Sequence, residues 1–408
     1  MFVGITNTPR PYAWGSRTAI AELLGTQASG EPEAELWLGA HSGCPSLIVD
    51  PAETGGATDL AAWVAADPVT TLGPLASTGR LPFLLKLLAA GAPLSLQAHP
   101  TAEQAREGFR RENESGVPLD APHRNYRDEH PKPELIYALS ETFDALCGFR
   151  PLASFREIVD ELWRLSSLAD SAAIDDLMDR AASDDALPGI VEWLSTGGQD
   201  VDALVSQVSA LAGSVLVGPA SAGSAFEPEF ATVRLLAEQY PGDPGIVISL
   251  LLNRVTLKRG EVLYLPAGNI HAYLAGLGVE LMASSDNVLR GGLTPKHVDV
   301  PELLGVLDFT PLPVPYLEPE RPSAGVEVFR PDVPDFVLVR FDGASGPASY
   351  ELSGPAIAIC TSGSAVLDGA SSTRLDRGSA VFITPDEGAI TVDGTGEVFL
   401  ATTGRPAL

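Results

Sequence analysis

The first 150 residues alternate short apolar runs with turn-forming Gly and Pro. Residues 47–49 and 81–88 are examples of such runs. Short strands with frequent turn signals are typical of a β-sandwich or a β-barrel. The pattern therefore predicts a β domain at the start of the chain.

From residue 151 to about residue 240 the apolar residues recur at helical spacing instead. After Pro151, the side chains of Phe155, Ile158 and Leu162 fall on one face of a helix. We expect a helical insertion over 151–240 that covers or flanks the β domain. Further amphipathic stretches lie at 172–182, 189–194, 201–211 and 230–240. Residues 212–226 are rich in Gly, Ala, Ser and Val and predict a loop between helices.

Strand-like sequence resumes at residues 245–252 and continues to about residue 306. The Pro-rich residues 311–322 predict a linker, and residues 323–408 are again rich in β-forming residues. Within this last region a Gly-led apolar run resembles an earlier one, but the last histidine of the chain is His297. We therefore expect a second, degenerate β domain without the chemistry of the first.

The chain has 408 residues and a formal net charge of −27. Such a surface repels phosphate backbones, so we expect no nucleic-acid partner, and a phosphate-bearing ligand needs a local cluster of cations. No apolar run approaches the ~20 residues of a membrane helix. The first residues also lack the basic-then-apolar layout of a signal peptide. A cytoplasmic protein with no membrane partner is expected.

Cysteine and lysine are both scarce. The cysteines are far apart and odd in number, which predicts small buried hydrophobes rather than disulfides or a zinc cluster. Arginine does the ordinary surface work, so a lysine retained against this bias suits a task that needs a compact ammonium group. The three cysteines are Cys44, Cys147 and Cys360. The four lysines are Lys86, Lys132, Lys258 and Lys296.

Two distant segments each contain a Gly, a β-rich run and then metal-capable side chains. They are residues 91–99, which include Gln97 and His99, and residues 260–271, which end in His271. On a strand, residues i and i+2 point to the same face, so Gln97 and His99 can reach one ion. The spacings Gly-x5-Gln-x-His and Gly-x5-Pro-x-Gly-x2-His match the two motifs of cupin barrels, with Gln replacing the usual first His.

An acidic ligand is expected to complete this metal site. Glu103 has suitable spacing, but Thr101 and Gln104 predict a capping box, which would leave Glu103 at a solvent-facing helix N-terminus. Glu134 follows Pro133 and begins a β-like run, which suits a positioned ligand. Two imidazoles, a carboxylate and an amide oxygen suit zinc.

The remaining histidines have no ligand spacing, and surface or capping roles are expected for them. They are His41, His123, His130 and His297.

Together these patterns predict a mainly β fold with an α insertion, built from two cupin (jelly-roll) β-barrels plus a helical domain. The catalytic cupin domain is expected to comprise residues 1–150 together with 241–310. The helical insertion takes 151–240, and the degenerate C-terminal barrel takes 323–408.

The chain also resembles the type I phosphomannose isomerases over most of the region from residue 10 to about residue 300. The similarity rests on ordered stretches such as residues 94–100 (Leu-Ser-Leu-Gln-Ala-His-Pro) and 132–135 (Lys-Pro-Glu-Leu). The other matching stretches are residues 10–15, 34–41, 146–151, 266–273 and 283–296. The resemblance implies the bicupin fold with a helical insertion described above.

The resemblance further implies one zinc ion per chain and a set of active-site residues. The implied zinc ligands are Gln97, His99, Glu134 and His271. Arg290 is the implied active-site arginine, and the implied pocket residues are Ser95, Lys132, Tyr273, Glu280 and Lys296. Lys86 is a further candidate for the anion site, although it lies in an apolar run and a carboxylate is its alternative partner. The family usually has His before the lysine of Lys-Pro-Glu; Pro131 stands there, and His130 is the candidate substitute.

The implied reaction interconverts mannose 6-phosphate and fructose 6-phosphate through a cis-enediol. It needs stabilisation of charge on O1 and O2, a base that moves a proton between C1 and C2, and remote anchoring of the phosphate. Glu280 and Lys132 are both candidates for the base, and the sequence does not decide between them. We expect a monomer with a hexose 6-phosphate as its partner.

Two other functions are compatible with a cupin barrel. An iron-dependent oxygenase is disfavoured by Gln97 in a first-ligand position and by the nearby cations Arg290 and Lys296. A non-enzymatic sugar-phosphate-binding protein would bind its ligand without turnover, and no basic DNA-reading segment supports a role in transcription.

Overall fold

The computed structural model describes residues 1–166, 171–215 and 224–404. In these residues 21 β-strands form antiparallel sheets of nine, eight and four strands, accompanied by 11 α-helices. The predicted mixture of β-sheet and a helical insertion is confirmed. None of the described helices is both long enough and apolar enough to cross a lipid bilayer.

The strands are numbered along the chain, and so are the helices. The strands are β1 (Phe2–Thr6), β2 (Glu35–Leu38), β3 (Leu47–Ile48), β4 (Phe83–Ala90), β5 (Leu96–Ala98), β6 (Glu134–Ala138), β7 (Thr142–Phe149), β8 (Leu252–Lys258), β9 (Val262–Leu265), β10 (His271–Ala283), β11 (Leu289–Gly292), β12 (Glu320–Ser323), β13 (Val326–Phe329), β14 (Val337–Asp342), β15 (Ala348–Glu351), β16 (Ala356–Ser362), β17 (Ser364–Asp368), β18 (Ser372–Asp376), β19 (Ala380–Ile383), β20 (Ala389–Gly394) and β21 (Glu397–Thr402). The α-helices are α1 (Ala19–Leu24), α2 (Leu60–Ala66), α3 (Pro68–Leu72), α4 (Ala102–Glu114), α5 (Leu152–Leu165), α6 (Ala172–Arg180), α7 (Leu187–Thr196), α8 (Gln199–Val215), α9 (Glu227–Gln239), α10 (Gly245–Ile248) and α11 (Val300–Val306).

The nine-stranded sheet is organised around the long strand β10. Its first residues pair with β5 and β7, and its second half pairs with β4 and β6. Because side chains alternate along a strand, Val279 and Leu281 enter the core shared with the C-terminal sheet, whereas Glu280 points to the other face. Lys86 lies opposite Glu280 in the antiparallel register. This alternation places the polar residues of β4, β6 and β10 on one face.

The eight-stranded sheet has the order β12-β13-β14-β21-β16-β19-β1-β3. Two of its strands, β1 and β3, come from the start of the chain, which the sequence pattern groups with the catalytic domain. Its inner face packs on the nine-stranded sheet, and the rings of Tyr137 and Phe399 meet edge to face at 4.8 Å. The Gly-led apolar run of the C-terminal region, residues 378–385, contains β19.

Five helices, α5 to α9, occupy the predicted insertion. The stripe of Phe155, Ile158 and Leu162 on α5 is fully buried, as the helical spacing predicts. It joins one hydrophobic core with Leu96 of β5 and Ala272 of β10. The insertion therefore packs directly behind the strands that carry the metal motifs.

Two predictions in the helical region need correction. Helix α8 extends to Val215, so the start of the predicted loop 212–226 is helical; residues 216–223 lie outside the described part of the chain. Residues 245–252 were expected to form a strand, but α10 and a 3-10 turn (Ser249–Leu251) precede β8. Asp243 starts this helix because its carboxylate accepts the Gly245 N–H at 2.7 Å. The run is buried on all sides, so its apolar pattern does not distinguish strand from helix.

The capping box predicted from Thr101 and Gln104 is present at the start of α4. Glu103 lies exposed in the first turn of that helix, away from the metal motifs.

The three cysteines are free, with Cys147 and Cys360 buried as predicted and Cys44 half-buried. The predicted linker 311–322 docks against β9, where Leu317 N–H donates to Val262 O at 2.9 Å, and its end forms β12.

Candidate active site

Two histidines and one glutamate converge on a single point in the nine-stranded sheet. His99 directly follows β5, Glu134 is the first residue of β6, and His271 is the first residue of β10. His271 Nε2 lies 2.8 Å from Glu134 Oε1, and His99 Nε2 lies 3.4 Å from Glu134 Oε2. All three side chains are buried, and their candidate ligand atoms lie within 4.8 Å of one another. Three of the four predicted metal ligands are thus brought together.

The hydrogen bonds of the two imidazoles define which nitrogens face this point. His99 Nδ1 donates to the main-chain oxygen of Asn287 at 2.8 Å, and His271 Nδ1 donates to that of Asn269 at 3.0 Å. Burial and the neighbouring Lys132 lower the pKa of His99 to about 4, so its ring is neutral near pH 7.

Both Nε2 atoms therefore offer lone pairs, and neither receives a hydrogen bond within the described residues. Two buried lone pairs opposite a carboxylate repel one another unless a cation lies between them. The donor set of two imidazoles and a carboxylate fits a divalent ion such as zinc.

Gln97 occupies the middle of β5, between His271 on β10 and Arg290 on β11. Its neighbours Leu96 and Ala98 point into the helical core, so Gln97 points the other way. It lines the cavity next to the metal point. This placement is compatible with the fourth ligand position, which stays a prediction.

Two adjoining cavities of about 370 and 440 Å³ open beside the metal point. Arg290 and Glu35 line both of them, so the cavities form one polar cleft. Among the predicted site residues, the first cavity contains Lys86 and Lys132. The second contains Ser95, Gln97 and Lys296. The cleft is large enough to hold a small polar ligand next to the metal point.

Four cations of the cleft have no acidic partner. Within the described residues, no carboxylate oxygen lies within 4.0 Å of Arg10, Arg127, Arg290 or Lys296, in a chain whose net charge is −27. Desolvation and the charge of Arg127 lower the pKa of Arg290. Desolvation, followed by Arg290 and Arg127, lowers the pKa of Lys296. Uncompensated cations that repel one another in a cleft form a binding site for an anion.

Lys86 differs from these cations because it is paired. Its Nζ lies 2.7 Å from Glu280 Oε2 and 3.4 Å from Glu35 Oε1, and all three side chains are buried. Burial acts to lower the pKa of Lys86, but Glu280 and Glu35 outweigh it and raise that pKa above its ordinary value. Lys86 therefore has carboxylate partners, the alternative that the apolar run suggested.

Tyr273, predicted to line the pocket, is buried two residues after His271. Its hydroxyl has no hydrogen-bond partner among the described residues, and its ring packs edge to face on Phe143 at 5.3 Å. Burial raises its pKa well above the ordinary value, so the hydroxyl stays protonated. Tyr273 was predicted to line the pocket, but it lies buried behind the cleft and lines neither cavity.

Sequence reasoning missed several residues of the cleft. His41 was expected in a surface or capping role; its Nδ1 does accept Gly43 N–H at 3.1 Å, but the side chain is buried and lines the cleft. Its Nε2 faces Asp286 Oδ1 at 3.3 Å. Arg127 also lines the cleft. His41 and Asp286 fall within the stretches that carry the family resemblance, whereas Arg127 lies in a loop with no sequence signal.

His130, the candidate substitute for the family histidine, lies apart from this group. Burial and the charge of Arg80 lower its pKa, and Asp128 and Asp335 are its other charged neighbours. Its main-chain oxygen accepts hydrogen bonds from Asn287 Nδ2 at 2.8 Å and from a serine hydroxyl. These contacts tie it to the structure of the loop, and nothing in them supports a role as substitute.

A β fold with a buried His-Glu-His centre, next to a cleft of uncompensated cations, defines a metalloprotein that binds an anionic ligand. The model of the phosphomannose isomerase type I catalytic domain matches residues 2–152. Mannose-6-phosphate isomerase of Escherichia coli (strain K12) is 37% identical over 399 residues, which is 97% of each chain. The human mannose-6-phosphate isomerase is 32% identical over 405 residues, 92% of each chain.

Solved structures agree with these relatives. A crystal structure of mannose 6-phosphate isomerase bound with zinc and yttrium matches with a TM-score of 0.86 and 34% identity, over 99% of this chain and 100% of that one. A zinc-bound holo structure of mannose 6-phosphate isomerase matches equally well, with a TM-score of 0.86. The chain belongs to the type I phosphomannose isomerase family, and the resemblance seen in the sequence is confirmed.

Proposed function

We propose that this protein is a zinc-dependent aldose–ketose isomerase that interconverts mannose 6-phosphate and fructose 6-phosphate through a cis-enediol. One observation carries the proposal: the buried His99–Glu134–His271 centre lies beside a cleft in which Arg127, Arg290 and Lys296 have no acidic partner in the described structure. A hexose 6-phosphate presents vicinal oxygens at one end and a phosphate at the other. The relatives over nearly the whole chain support the same substrate.

The metal is held by His99, Glu134 and His271, and Gln97 is its fourth ligand in this proposal. The converging lone pairs of the two imidazoles support one zinc ion per chain. When bound, zinc stabilises the negative charge that develops on O1 and O2 of the substrate. A fifth position remains for water or substrate.

The phosphate is anchored by Arg290 and Lys296, with Ser95 as a hydrogen-bond donor and Arg127 added by the structure. Arginine offers a planar fork that matches phosphate oxygens. The absence of acidic partners in the described residues means that no ion pair must break when the phosphate binds. Binding energy from this remote group orients C1 and C2 at the reacting end.

The proton moves from C2 of mannose 6-phosphate to a base and then to C1. Of the two candidates, Lys132 lines the cleft, and its Nζ lies 3.8 Å from Glu134. Glu280 is buried and bound to Lys86. We therefore assign the proton transfer to Lys132, with Glu280 and Lys86 as the buried support behind it.

The finer architecture is part of the same proposal. The pairing of β10 with β4, β5, β6 and β7 supports a cupin jelly-roll, with a second, degenerate one at residues 323–408 that borrows β1 and β3. The division into residues 1–150 plus 241–310, 151–240 and 323–408 stays a prediction, as does the monomeric state.

The proposal is tested with metal-stripped and zinc-restored protein. Zinc is expected to restore turnover of mannose 6-phosphate, and a run in deuterium oxide is expected to place deuterium at C1 of the fructose 6-phosphate formed. Zinc-restored protein that binds mannose 6-phosphate without turnover would reject the isomerase. Turnover without any deuterium at C1 would instead contradict proton transfer by an exchangeable base.

A further inference from the structure

The end of the helical insertion reaches the anion end of the cleft. Tyr240, which follows α9, lines the cavity, and its hydroxyl donates to Pro93 O at 2.7 Å. Asp243 uses one carboxylate oxygen to accept Gly245 N–H at 2.7 Å and the other to accept Thr294 N–H at 3.2 Å. The insertion thus contacts both loops that line this end of the cleft.

The second of these loops has an unusual backbone corner. Leu293 has a φ of 55° and is the one non-glycine residue with positive φ among the described residues. A leucine in the left-handed region persists only where its surroundings hold it there. Gly292, beside it, has a φ of 130°, and a Cβ at this position would lie 3.0 Å from Asp243 Oδ1. The corner and the carboxylate are therefore fitted closely to each other.

The corner leads directly to a cation of the cleft. The Lys296 N–H donates to Thr294 Oγ1 at 3.1 Å. Thr294, which is bound by Asp243, therefore also fixes the backbone of Lys296. Lys296 lies near Arg290 and Arg127, which repel its ammonium group. A lysine placed beside like charges needs a backbone that keeps it there.

We propose that Asp243 is a positioning residue for the phosphate end of the cleft, which acts through the Leu293–Thr294 corner on Lys296. The segment that leads out of the helical insertion, directly after Tyr240, then sets the affinity for the phosphate group of the substrate. The inference rests on the proposed function, since it names the part of the chain that shapes the phosphate site.

The test uses the zinc-loaded full chain with the substitution Asp243→Asn. The amide keeps the size but presents N–H to one main-chain N–H, so one of the two hydrogen bonds is lost. The KM for mannose 6-phosphate and the dissociation constant of inorganic phosphate are each expected to rise about fivefold to tenfold, with kcat within about twofold and zinc content unchanged. A loss of kcat at constant KM would overturn the proposal.

A double-mutant cycle separates positioning from general destabilisation. If Asp243 acts through Lys296, then Asp243→Asn added to Lys296→Ala raises KM no further, whereas additive effects overturn the proposal. Thr294→Val removes the oxygen that holds the Lys296 N–H and provides the same test without altering Asp243. The control is Asp59→Ala, because this carboxylate accepts Ala62 N–H at the start of α2, away from the cleft. Loss of the helix cap is expected to lower the melting temperature without changing KM.

The two proposals fail in different ways. If the wild-type chain shows no turnover, the isomerase assignment fails, while the phosphate titration still reports on Asp243. If the wild-type chain is active and Asp243→Asn leaves both KM and phosphate affinity unchanged, only the positioning role fails.

Discussion

The Nε2 atom of His271 lies 2.8 Å from Oε1 of Glu134, although Nδ1 donates elsewhere, which makes Nε2 the acceptor nitrogen of a neutral ring. Such a pair of acceptors is stable when a cation joins them.

The substitution His271→Ala removes one of the two buried imidazoles and is expected to reduce zinc from about one per chain to a small fraction. Activity should fall by more than about 100-fold, because loss of an outer-shell partner alone typically costs 10- to 100-fold. Metal analysis and an assay on the same sample measure both; a full equivalent of zinc in the variant would contradict the site. His123→Ala is the control, since His123 contacts His297 instead of the metal point.

Arg290 has no acidic partner in the described structure, and its removal tests the anion site. Arg290→Met is expected to lower kcat/KM for mannose 6-phosphate by about 10- to 100-fold, because a hydrogen bond to a charged group contributes about 1.5–3 kcal/mol. The melting temperature should not fall, since the change also removes repulsion with Arg127. Steady-state kinetics and thermal unfolding distinguish the loss of a phosphate contact from a fold defect. A fall of both kcat/KM and the melting temperature would contradict an Arg290 without an acidic partner.

For Lys86 we expect the opposite of Arg290, namely that its substitution lowers the stability of the fold. Lys86→Met leaves Glu35 and Glu280 buried without their cation, and loss of one partner from a buried pair costs about 3–5 kcal/mol of unfolding free energy. Denaturant unfolding of the zinc-loaded protein measures it. Arg110→Met is the control, because its partner Glu114 is as exposed as Arg110 and such pairs contribute less than about 1 kcal/mol. Equal effects of the two substitutions would show that the buried cluster is not stabilised by Lys86.

Asn287 connects the metal centre to the cation cluster. Its side chain is fully buried; Oδ1 accepts Arg127 N–H at 2.7 Å, and Nδ2 donates to His130 O at 2.8 Å. Its main-chain oxygen accepts His99 Nδ1–H. Asn287→Ala leaves buried main-chain groups unpaired, at about 1–3 kcal/mol each, and zinc affinity should fall about 10- to 100-fold.

Competition with a chelator measures the zinc affinity of the Asn287 variant. Asn7→Ala is the matched control, because Asn7 Nδ2 also donates to main-chain oxygens, including Trp37 O at 3.0 Å, and Trp37 pairs with Lys86 rather than with a metal ligand. It should lose stability and keep its zinc affinity. A similar loss of zinc in both variants would assign the effect to general destabilisation.

The buried thiols give a prediction that depends on pH. Burial raises the pKa of Cys147 to about 12 and that of Cys360 to about 11, so the native chain at pH 8 should expose one reactive thiol, Cys44, and the unfolded chain three. Because unfolded thiols ionise near pH 9, the native state binds more protons above that value. The free energy of unfolding should therefore fall as the pH rises from 9 towards 11. Thiol titration with and without denaturant checks the number of reactive thiols. Denaturant unfolding at pH 9 and pH 11 checks the free energy of unfolding. Three rapidly reacting thiols in the native chain would contradict the prediction.

The metal centre was predictable because its signals are local. Gln97 and His99 obey the two-residue period of a strand, and the capping box correctly removed Glu103 from the ligand set. Glu134 was indicated by its place at the start of a β-like run. Each of these inferences depends on a few neighbouring residues.

Other parts of the cleft depend on contacts that a local pattern does not contain. Arg127 reaches the cleft because Asn287, far along the chain, binds its backbone. His41 lines the cleft because it packs against Trp37 and faces Asp286. Residues 245–251 are helical although their side chains prefer strands, because the core surrounds them on all sides and Asp243, just before the helix, accepts the Gly245 N–H.

Strand β1 lies between β3 and β19, and the Thr384 hydroxyl donates to Met1 O, 383 positions away in the sequence. At a synthesis rate of about 5–20 residues per second, β1 is made some tens of seconds before its partner β19. Its apolar residues Val3 and Ile5 are fully covered only afterwards. The newly made chain thus carries β1 with its β19 edge unpaired through most of translation, so this edge is open to pairing with other chains until synthesis is nearly complete.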